Sequence, residues 1–324
     1  MSNKEKFKQL FENRLTQDEA KDFLVSLYQK GESYQDIADA ATVMREHSIK
    51  LPVDSKLQEE LIDIVGTGGD KSGSFNISTT VSLLLSSTGA KVAKHGNRSI
   101  TSKSGSADLL EALGINLNLE PKNQVKMLQE VGFTFIFAIN HHPAMKHIMP
   151  IRKSLNHRTI FNILGPLTNP AGAKKYLLGV FSSDFIEKMA KALVELDAKK
   201  AFVVSSRDGM DEISISDLTD FAYVENSKVT TGVINPQEFG FKLAPKEAIL
   251  GGDAKQNAKI TLDILSGKEM GPKRDVVLLN SAYALFANES ARDIKEGIEI
   301  AKDALDSKKA YNHLQRIIDV SNSF

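Results

Sequence analysis

The segment DGMDEIS, residues 208–214, sets three carboxylates within five residues. Asp211 and Glu212 are hard oxygen ligands suited to magnesium, which usually takes one or two carboxylates and completes its shell with water and substrate phosphate. Adjacent carboxylates in a loop are also common solvated groups, so the pair points to a metal only in company with phosphate-binding segments.

Such segments lie upstream. In DIVGTGGDKSGSFNIST, residues 63–79, Gly66, Gly68, Gly69 and Asp70 follow a short apolar run. The loop fails both common nucleotide signatures, because Lys71 stands where the dinucleotide pattern needs glycine and Asp70 stands where the P-loop needs glycine before its lysine. Its glycines still permit positive φ and close backbone approach, so that successive N–H groups face an anion; a plain tight turn is the alternative. Asn76, Ser78 and Thr79 then stand where a helix begins, either as an anion site at its N-terminus or as an ordinary cap.

KHGNRSITSKSGSAD, residues 94–108, is the densest polar run. Lys94, His95, Asn97 and Arg98 leave a strand end, and Ser99, Thr101, Ser102 and Ser104 precede a helix whose expected N-cap is Ser106 and whose stop is Gly114. A lysine suits a phosphate and an arginine a carboxylate, whereas a solvated connector is the plainer reading. HHPAMKHIMPIRKSLNHRTIFNILGPLTNP, residues 141–170, holds four histidines without the acidic or cysteine partners of a zinc site. Arg152, Arg158 and Asn162 carry more meaning: an arginine fork clamps a planar carboxylate, and Pro166 and Pro170 stiffen the backbone as a hinge would.

The elements that must position these segments are legible from period and punctuation. Residues 1 to about 50 read as helices, with a Thr16 to Glu19 capping box, a stop at Gly31, and a second start at Ser33 with Ile37, Ala41 and Met44 on one face. From Leu61 onward, the apolar runs LIDIV, KVAK, FTFIFA, YLLGVF and AFVVS alternate with helical stretches, which predicts an α/β layered fold with a partly parallel sheet. FAYVENSKVTTGVI reads as a hairpin around Glu225-Asn226-Ser227, and amphipathic helices follow from Asp253. Ligands are expected at the strand ends.

Forty-one lysines and arginines balance 41 aspartates and glutamates, so no overall field draws the chain to nucleic acid or an anionic membrane. The absence of cysteine excludes disulfides, zinc thiolates and thiol nucleophiles. The charged N-terminus lacks a signal-peptide core and no run approaches the ~18 apolar residues of a membrane span, so a soluble, cytoplasmic chain is expected.

GTGGD, NIST, KHGNRSITSKSGSADLLEALG, HPAMK, RTIFNILGPLTNPA and DGMDEIS, in this order and spacing, closely resemble the anthranilate phosphoribosyltransferases, over nearly the whole chain. The resemblance implies a magnesium-dependent transfer of the phosphoribosyl group from phosphoribosyl pyrophosphate (PRPP) to the amino group of anthranilate, in tryptophan synthesis, with two metal ions per subunit of a homodimer. It implies an α/β fold: a small all-helical N-terminal domain, residues 1–60 with a contribution from about 143–170, and a large domain, 61–324, with a mixed, mostly parallel sheet surrounded by helices. Closure about residues 50–60 and 165–170 is expected during turnover.

Carried over position by position, the resemblance gives PRPP to Gly66, Gly68, Gly69, Asp70, Asn76, Ser78, Thr79, Lys94 and Ser106. It gives magnesium to Ser78, Asp211 and Glu212, and anthranilate to Gly66, Asn97, His142, Arg152 and Pro166, with Arg152 on its carboxylate. Lys94, Asp211 and Glu212 stabilise charge, and no residue acts as a covalent nucleophile. Arg98 is expected to brace its loop. The chain departs from the family pattern at Ile139-Asn140, at Asp197 in place of a common glycine, and at Ser205-Ser206-Arg207, where Arg207 would alter the charge near the metal. A pyrimidine nucleoside phosphorylase and a non-catalytic nucleic-acid-binding relative of the same fold are the rival expectations.

Overall fold

In the computed structural model, residues 2–99 and 103–324 are described; Thr101 and Ser102 of the polar run lie outside them. The first helices follow their caps. After α1 (Asn3–Phe11), Thr16 starts α2 (Gln17–Lys30): its Oγ1 accepts Glu19 N at 3.3 Å and Glu19 Oε2 accepts Thr16 N at 2.8 Å. Gly31, at φ +76, ends α2, and Ser33 with Asp36 repeats the reciprocal cap for α3 (Tyr34–Glu46). Each cap satisfies amides that a helix start leaves without partners.

Phe7, Leu10, Phe11, Phe23, Leu24 and Ile37 bury together with Ile148, Ile151 and Phe161 from the helices Met145–Lys153 and Phe161–Leu164. His147 ties that segment to α1 through Leu10 O at 3.0 Å. The same apolar cluster continues through Leu61, Val65, Tyr176 and Leu178 onto one face of the sheet.

Among the described residues the sheet has seven strands: β1 (Leu61–Gly66), β2 (Lys91–Gly96), β3 (Phe133–Phe137), β4 (Lys175–Gly179), β5 (Lys200–Ser206), β6 (Thr219–Glu225) and β7 (Lys228–Ile234). Their order is β3-β2-β1-β4-β5-β6-β7; β1 to β5 run parallel, while β6 and β7 pair antiparallel. The expected mixed, mostly parallel sheet is therefore present. Parallel strands covered on both faces read as near-continuous apolar runs, as β3, β4 and β5 do, whereas Asp63 interrupts β1 and β2 has only Val92 and Ala93 between its lysines. Asn226 and Ser227, at φ +52 and +59, make the tight turn of the predicted hairpin.

A second apolar cluster covers the opposite face, drawing on Ile77, Val81 and Leu84 of the helix Ile77–Ser87 and on Val276, Leu279 and Tyr283 of Pro272–Ala287. Between β1 and its neighbour β4 the strand order changes direction. The loops leaving the two strands part there, and in such sheets this opens a crevice at the carboxyl ends.

One local expectation is corrected. Ser106 does not cap its helix: Gly105 is the N-cap, and Ser106 is the first residue of the helix Ser106–Ala112. A Cβ at Gly105 would stand 2.3 Å from Ser99 N, so the close crossing of residues 97–99 demands glycine there. Asp108 Oδ2 satisfies the loop instead, accepting Gly105 N at 2.8 Å and Ser99 N at 3.1 Å.

Candidate active site

The glycine loop leaves β1 at the crevice. Gly68 and Gly69, at φ +65 and +73, are successive left-handed residues, the backbone form that turns N–H groups to one side. The turn is held on several sides. Gly68 N donates to Asp211 Oδ2 at 2.8 Å, Asp211 N donates to Asp70 Oδ2 at 3.4 Å, and Thr67 N donates to Gly179 O at 3.0 Å. Arg158 Nη2 donates to Gly69 O at 2.7 Å.

The acidic segment leaves β5. Asn280 anchors it, accepting Ile213 N at 3.1 Å and donating to Ile213 O at 2.7 Å, while Asp208 accepts Met210 N at 3.1 Å and Ser214 Oγ at 2.7 Å. One oxygen each of Asp70, Asp211 and Glu212 lies within 4.8 Å of the other two. Asp211 is buried, and burial, then the Asp70 charge, pushes it up to about 7. Burial and the Asp211 carboxylate push partly exposed Glu212 well up, and its Oε2 is buried without a hydrogen-bond partner among the described residues. Three crowded hard oxygens with an unused buried acceptor fit a small divalent cation. Asp70, expected only on PRPP, thus joins the carboxylate cluster.

Lys94 stands behind this cluster on β2, buried, with Nζ donating to Ile64 O at 2.6 Å and to Ser78 Oγ at 3.4 Å. Burial lowers it to about 8 against the opposing pull of Asp63, Glu212 and Asp211. It therefore remains largely cationic at neutral pH. Ser78 and buried Thr79 lie in the first turn of the Ile77–Ser87 helix, where backbone N–H groups lack helical partners. Asn76 makes no side-chain cap. Its Nδ2 donates to Ser104 O at 3.1 Å, and its Oδ1 accepts Asn257 Nδ2 at 2.8 Å.

A second group surrounds His95. Its Nδ1 lies 3.1 Å from Gly165 O, a carbonyl that only accepts, so Nδ1 carries the proton and Nε2 is the acceptor. His142 Nε2, 3.2 Å away, must then donate to it, which leaves His142 Nδ1 as a buried acceptor without a partner among the described residues. Burial drives both rings toward neutrality, His95 well down and His142 to about 4. Pro166 is buried beside Gly165 in the turn Gly165–Leu167. Asp63, fully buried on β1, accepts His95 N at 3.1 Å and Asn169 Nδ2 at 2.8 Å, joining the strand ends to the LTNP segment.

Arg152 projects from the helix Met145–Lys153, three residues past Met149, whose Sδ it meets at 3.4 Å, and its guanidinium lies 5.5 Å from the Phe161 ring. Among the described residues no carboxylate pairs with it. A half-buried arginine left without an anion is suited to receive one.

The structure thus brings together Gly66, Gly68, Asp70, Ser78, Lys94, Asp211 and Glu212, and separately His142 with Pro166 through His95. Among the described residues no hydrogen bond joins Arg152 to either group. Ser106 Oγ donates to Asn97 O at 3.2 Å, and Asn97 Oδ1 accepts Arg98 N at 2.8 Å. Arg98 is spent on Asp108 and Glu111, at 3.0 and 2.6 Å. Arg207 is paired with Asp220 at 2.8 Å, which neutralises the charge its position had suggested near the metal. Asp197, at φ +63, occupies backbone space that favours glycine.

The four histidines of residues 141–170 do not converge. His141 faces Ile49 O, His142 faces His95, His147 faces Leu10 O, and His157 stacks on Tyr28 at 4.0 Å. Asp63 and Gly179 escaped the sequence reading, although a carboxylate and a glycine inside apolar strands were available signals. Asn257 gave no local signal.

Residues 58–311 match the family described as "Glycosyl transferase family, a/b domain". The anthranilate phosphoribosyltransferase of Methanobrevibacter smithii is 45% identical over 301 residues, covering 93% of this chain and 88% of that protein. The Thermus thermophilus anthranilate phosphoribosyltransferase crystal structure superposes with a TM-score of 0.92 at 41% identity, covering 99% of this chain and 94% of that one. The Saccharomyces cerevisiae enzyme in complex with PRPP and Mg superposes with a TM-score of 0.87 at 30% identity, covering 98% and 91%. With 45% identity across 93% of its length, this chain belongs to the anthranilate phosphoribosyltransferase family.

Proposed function

We infer that the chain transfers the phosphoribosyl group of PRPP to the amino nitrogen of anthranilate, releasing pyrophosphate, in tryptophan biosynthesis. The observation that carries this is the junction of Gly68, Asp70, Asp211, Glu212 and Lys94 at the crevice between β1 and β4, in a chain of this family. Left-handed glycine amides, a buried cation and a hard carboxylate cluster together suit a diphosphate carrying magnesium.

Asp70, Asp211 and Glu212, with the Ser78 hydroxyl, would hold magnesium, two ions per subunit; bound there, the metal supplies positive charge against the diphosphate. The chain's own groups do the rest. The Gly68 N–H now held by Asp211 Oδ2 is a donor that a diphosphate oxygen takes over, with the Gly69 and Asp70 amides and Lys94 beside it. Ser78 and Thr79 offer first-turn amides, and Asn76 and Ser106 shape the loop that closes over them.

Arg152 takes the anthranilate carboxylate, while Pro166 and Gly66 bound the ring and Asn97 and His142 face its amine side. The nitrogen lone pair forms the new C–N bond as the ribose C–O bond breaks and its electron pair leaves with pyrophosphate; the anilinium proton then passes to the departing pyrophosphate or to water. Lys94 meets the charge developing on the leaving group, so positioning and preorganised electrostatics supply the rate without a covalent nucleophile.

The helical unit, residues 1–60 with 143–170, closes on residues 61–324 during this cycle, in a cytoplasmic homodimer. Backbone pairs Ile49 N to His141 O and Leu51 N to Pro170 O, at 2.8 and 3.1 Å, support a hinge where the chain crosses. Loss of anthranilate fluorescence with PRPP and magnesium tests the activity, with uridine plus phosphate and single-stranded DNA as parallel arms. No consumption of anthranilate at micromolar enzyme overturns it.

A further inference from the structure

Arg158, read in the sequence as a candidate carboxylate clamp, has no part in the function proposed above, yet it is tied directly to the glycine turn. Its Nη2 donates to Gly69 O at 2.7 Å, and its guanidinium carbon lies 3.6 Å from the Phe181 ring centroid. Phe181 N donates to Thr67 Oγ1 at 3.1 Å, and Thr67 N donates to Gly179 O at 3.0 Å. Turn, β4 exit and guanidinium therefore close a ring of contacts, reached from the segment that also carries Arg152.

We propose that Arg158 is a positioning residue that latches the glycine turn, aiming the Asp70 amide at the PRPP diphosphate. The reasoning is geometric. In a trans peptide the N–H points opposite to the C=O, so a cation fixing Gly69 O on one side directs Asp70 N–H to the other. A charged donor on the carbonyl also polarises that peptide and strengthens its N–H as a donor. Stacking on Phe181 fixes the guanidinium plane, so one N–H is held toward Gly69; a lysine offers neither the plane nor the stack. Arg158 is exposed, so its removal leaves the core intact.

The inference rests on the proposed PRPP site, and two measurements keep the failures apart. Hydrogen exchange on the ligand-free protein reads the latch itself: in Arg158→Ala, amides of residues 67–72 should exchange about tenfold faster, with those of β1 unchanged. Calorimetry then reads its use. PRPP with magnesium should bind Arg158→Ala about tenfold more weakly and Phe181→Leu about threefold more weakly, while the double variant is no weaker than Arg158→Ala alone, because the ring acts through the arginine. The KM for anthranilate at saturating PRPP should stay within about twofold of wild type. Unchanged exchange in Arg158→Ala overturns the latch whatever the ligand. Faster exchange with unchanged PRPP affinity, or equal weakening of both substrates, overturns its role in aiming the amide. Wild-type protein that exchanges as described but binds no PRPP overturns the site and, with it, this use of the latch.

Discussion

Gly179 lies so close beneath Asp211 that a Cβ added to it would stand 1.4 Å from the Asp211 carbonyl oxygen. The obstacle is backbone, so Gly179→Ala must displace the acidic loop as a whole. Turnover should fall at least about 100-fold, with a stability loss of about 1–3 kcal/mol typical of overpacking. Gly66→Ala makes a useful contrast, because its Cβ would meet the Asp211 carboxylate end, at 2.4 Å, and a side chain swings more cheaply than a backbone. Its urea midpoint should stay near wild type while its magnesium requirement rises. Activity titrated against magnesium, with urea denaturation of both variants, checks the pair.

Most of the frame was legible before the structure. The short runs from Leu61 onward are β1 to β5, and three of them, β3 to β5, are near-continuously apolar because parallel strands packed on both faces need no polar alternation. The turn was readable at Asn226 because asparagine tolerates left-handed backbone. What could not be read was which loops meet. Gly68 and Asp211 are 143 residues apart, and nothing in either segment announces that Asp211 Oδ2 occupies an amide of the turn. Ser106 was misplaced for a related reason. Local chemistry favours serine as a cap, but the crossing of residues 97–99 over position 105 leaves room for glycine alone.

Arg152 should govern one substrate. It has no carboxylate partner among the described residues, and burial already disfavours its charge, so an incoming carboxylate gains a charge-assisted bond in partly desolvated surroundings. Arg152→Ala should raise the KM for anthranilate at least about tenfold and leave PRPP affinity within about twofold. Steady-state kinetics with each substrate varied decides it; parallel losses for both substrates would remove Arg152 from the anthranilate pocket.

Asn257 should matter although it touches no substrate. It is buried, accepts Gly252 N at 2.8 Å and donates to Asn76 Oδ1 at 2.8 Å, and Asn76 in turn holds Ser104 O. Truncation strands the buried Gly252 N–H and removes one of two donors to Asn76 Oδ1, the other being Ser104 Oγ at 3.2 Å, so Asn257→Ala should cost about 2 kcal/mol in urea denaturation. It should also weaken PRPP binding several-fold. Because Asn257 acts through Asn76, the double alanine variant should show less than the sum of the single losses.

His142 supplies a pH test with a defined sign. Its folded pKa of about 4 lies below the ordinary 6.5, chiefly through burial and secondarily through His141. The unfolded chain therefore binds more protons between those values, and stability falls as pH drops from about 6.5 toward 4. A shift of this size corresponds to at most about 3–4 kcal/mol, at roughly 1.4 kcal/mol per pKa unit. His142→Gln removes the ring but keeps an N–H able to donate to His95 Nε2, so its stability should decline less steeply over that window. Above about pH 7.5 the two proteins should run parallel, since His142 then binds no proton in either the folded or the unfolded chain. Urea denaturation at half-unit pH steps measures the difference. A His142→Gln curve as steep as wild type below pH 6.5 would show that the acid lability does not reside in His142.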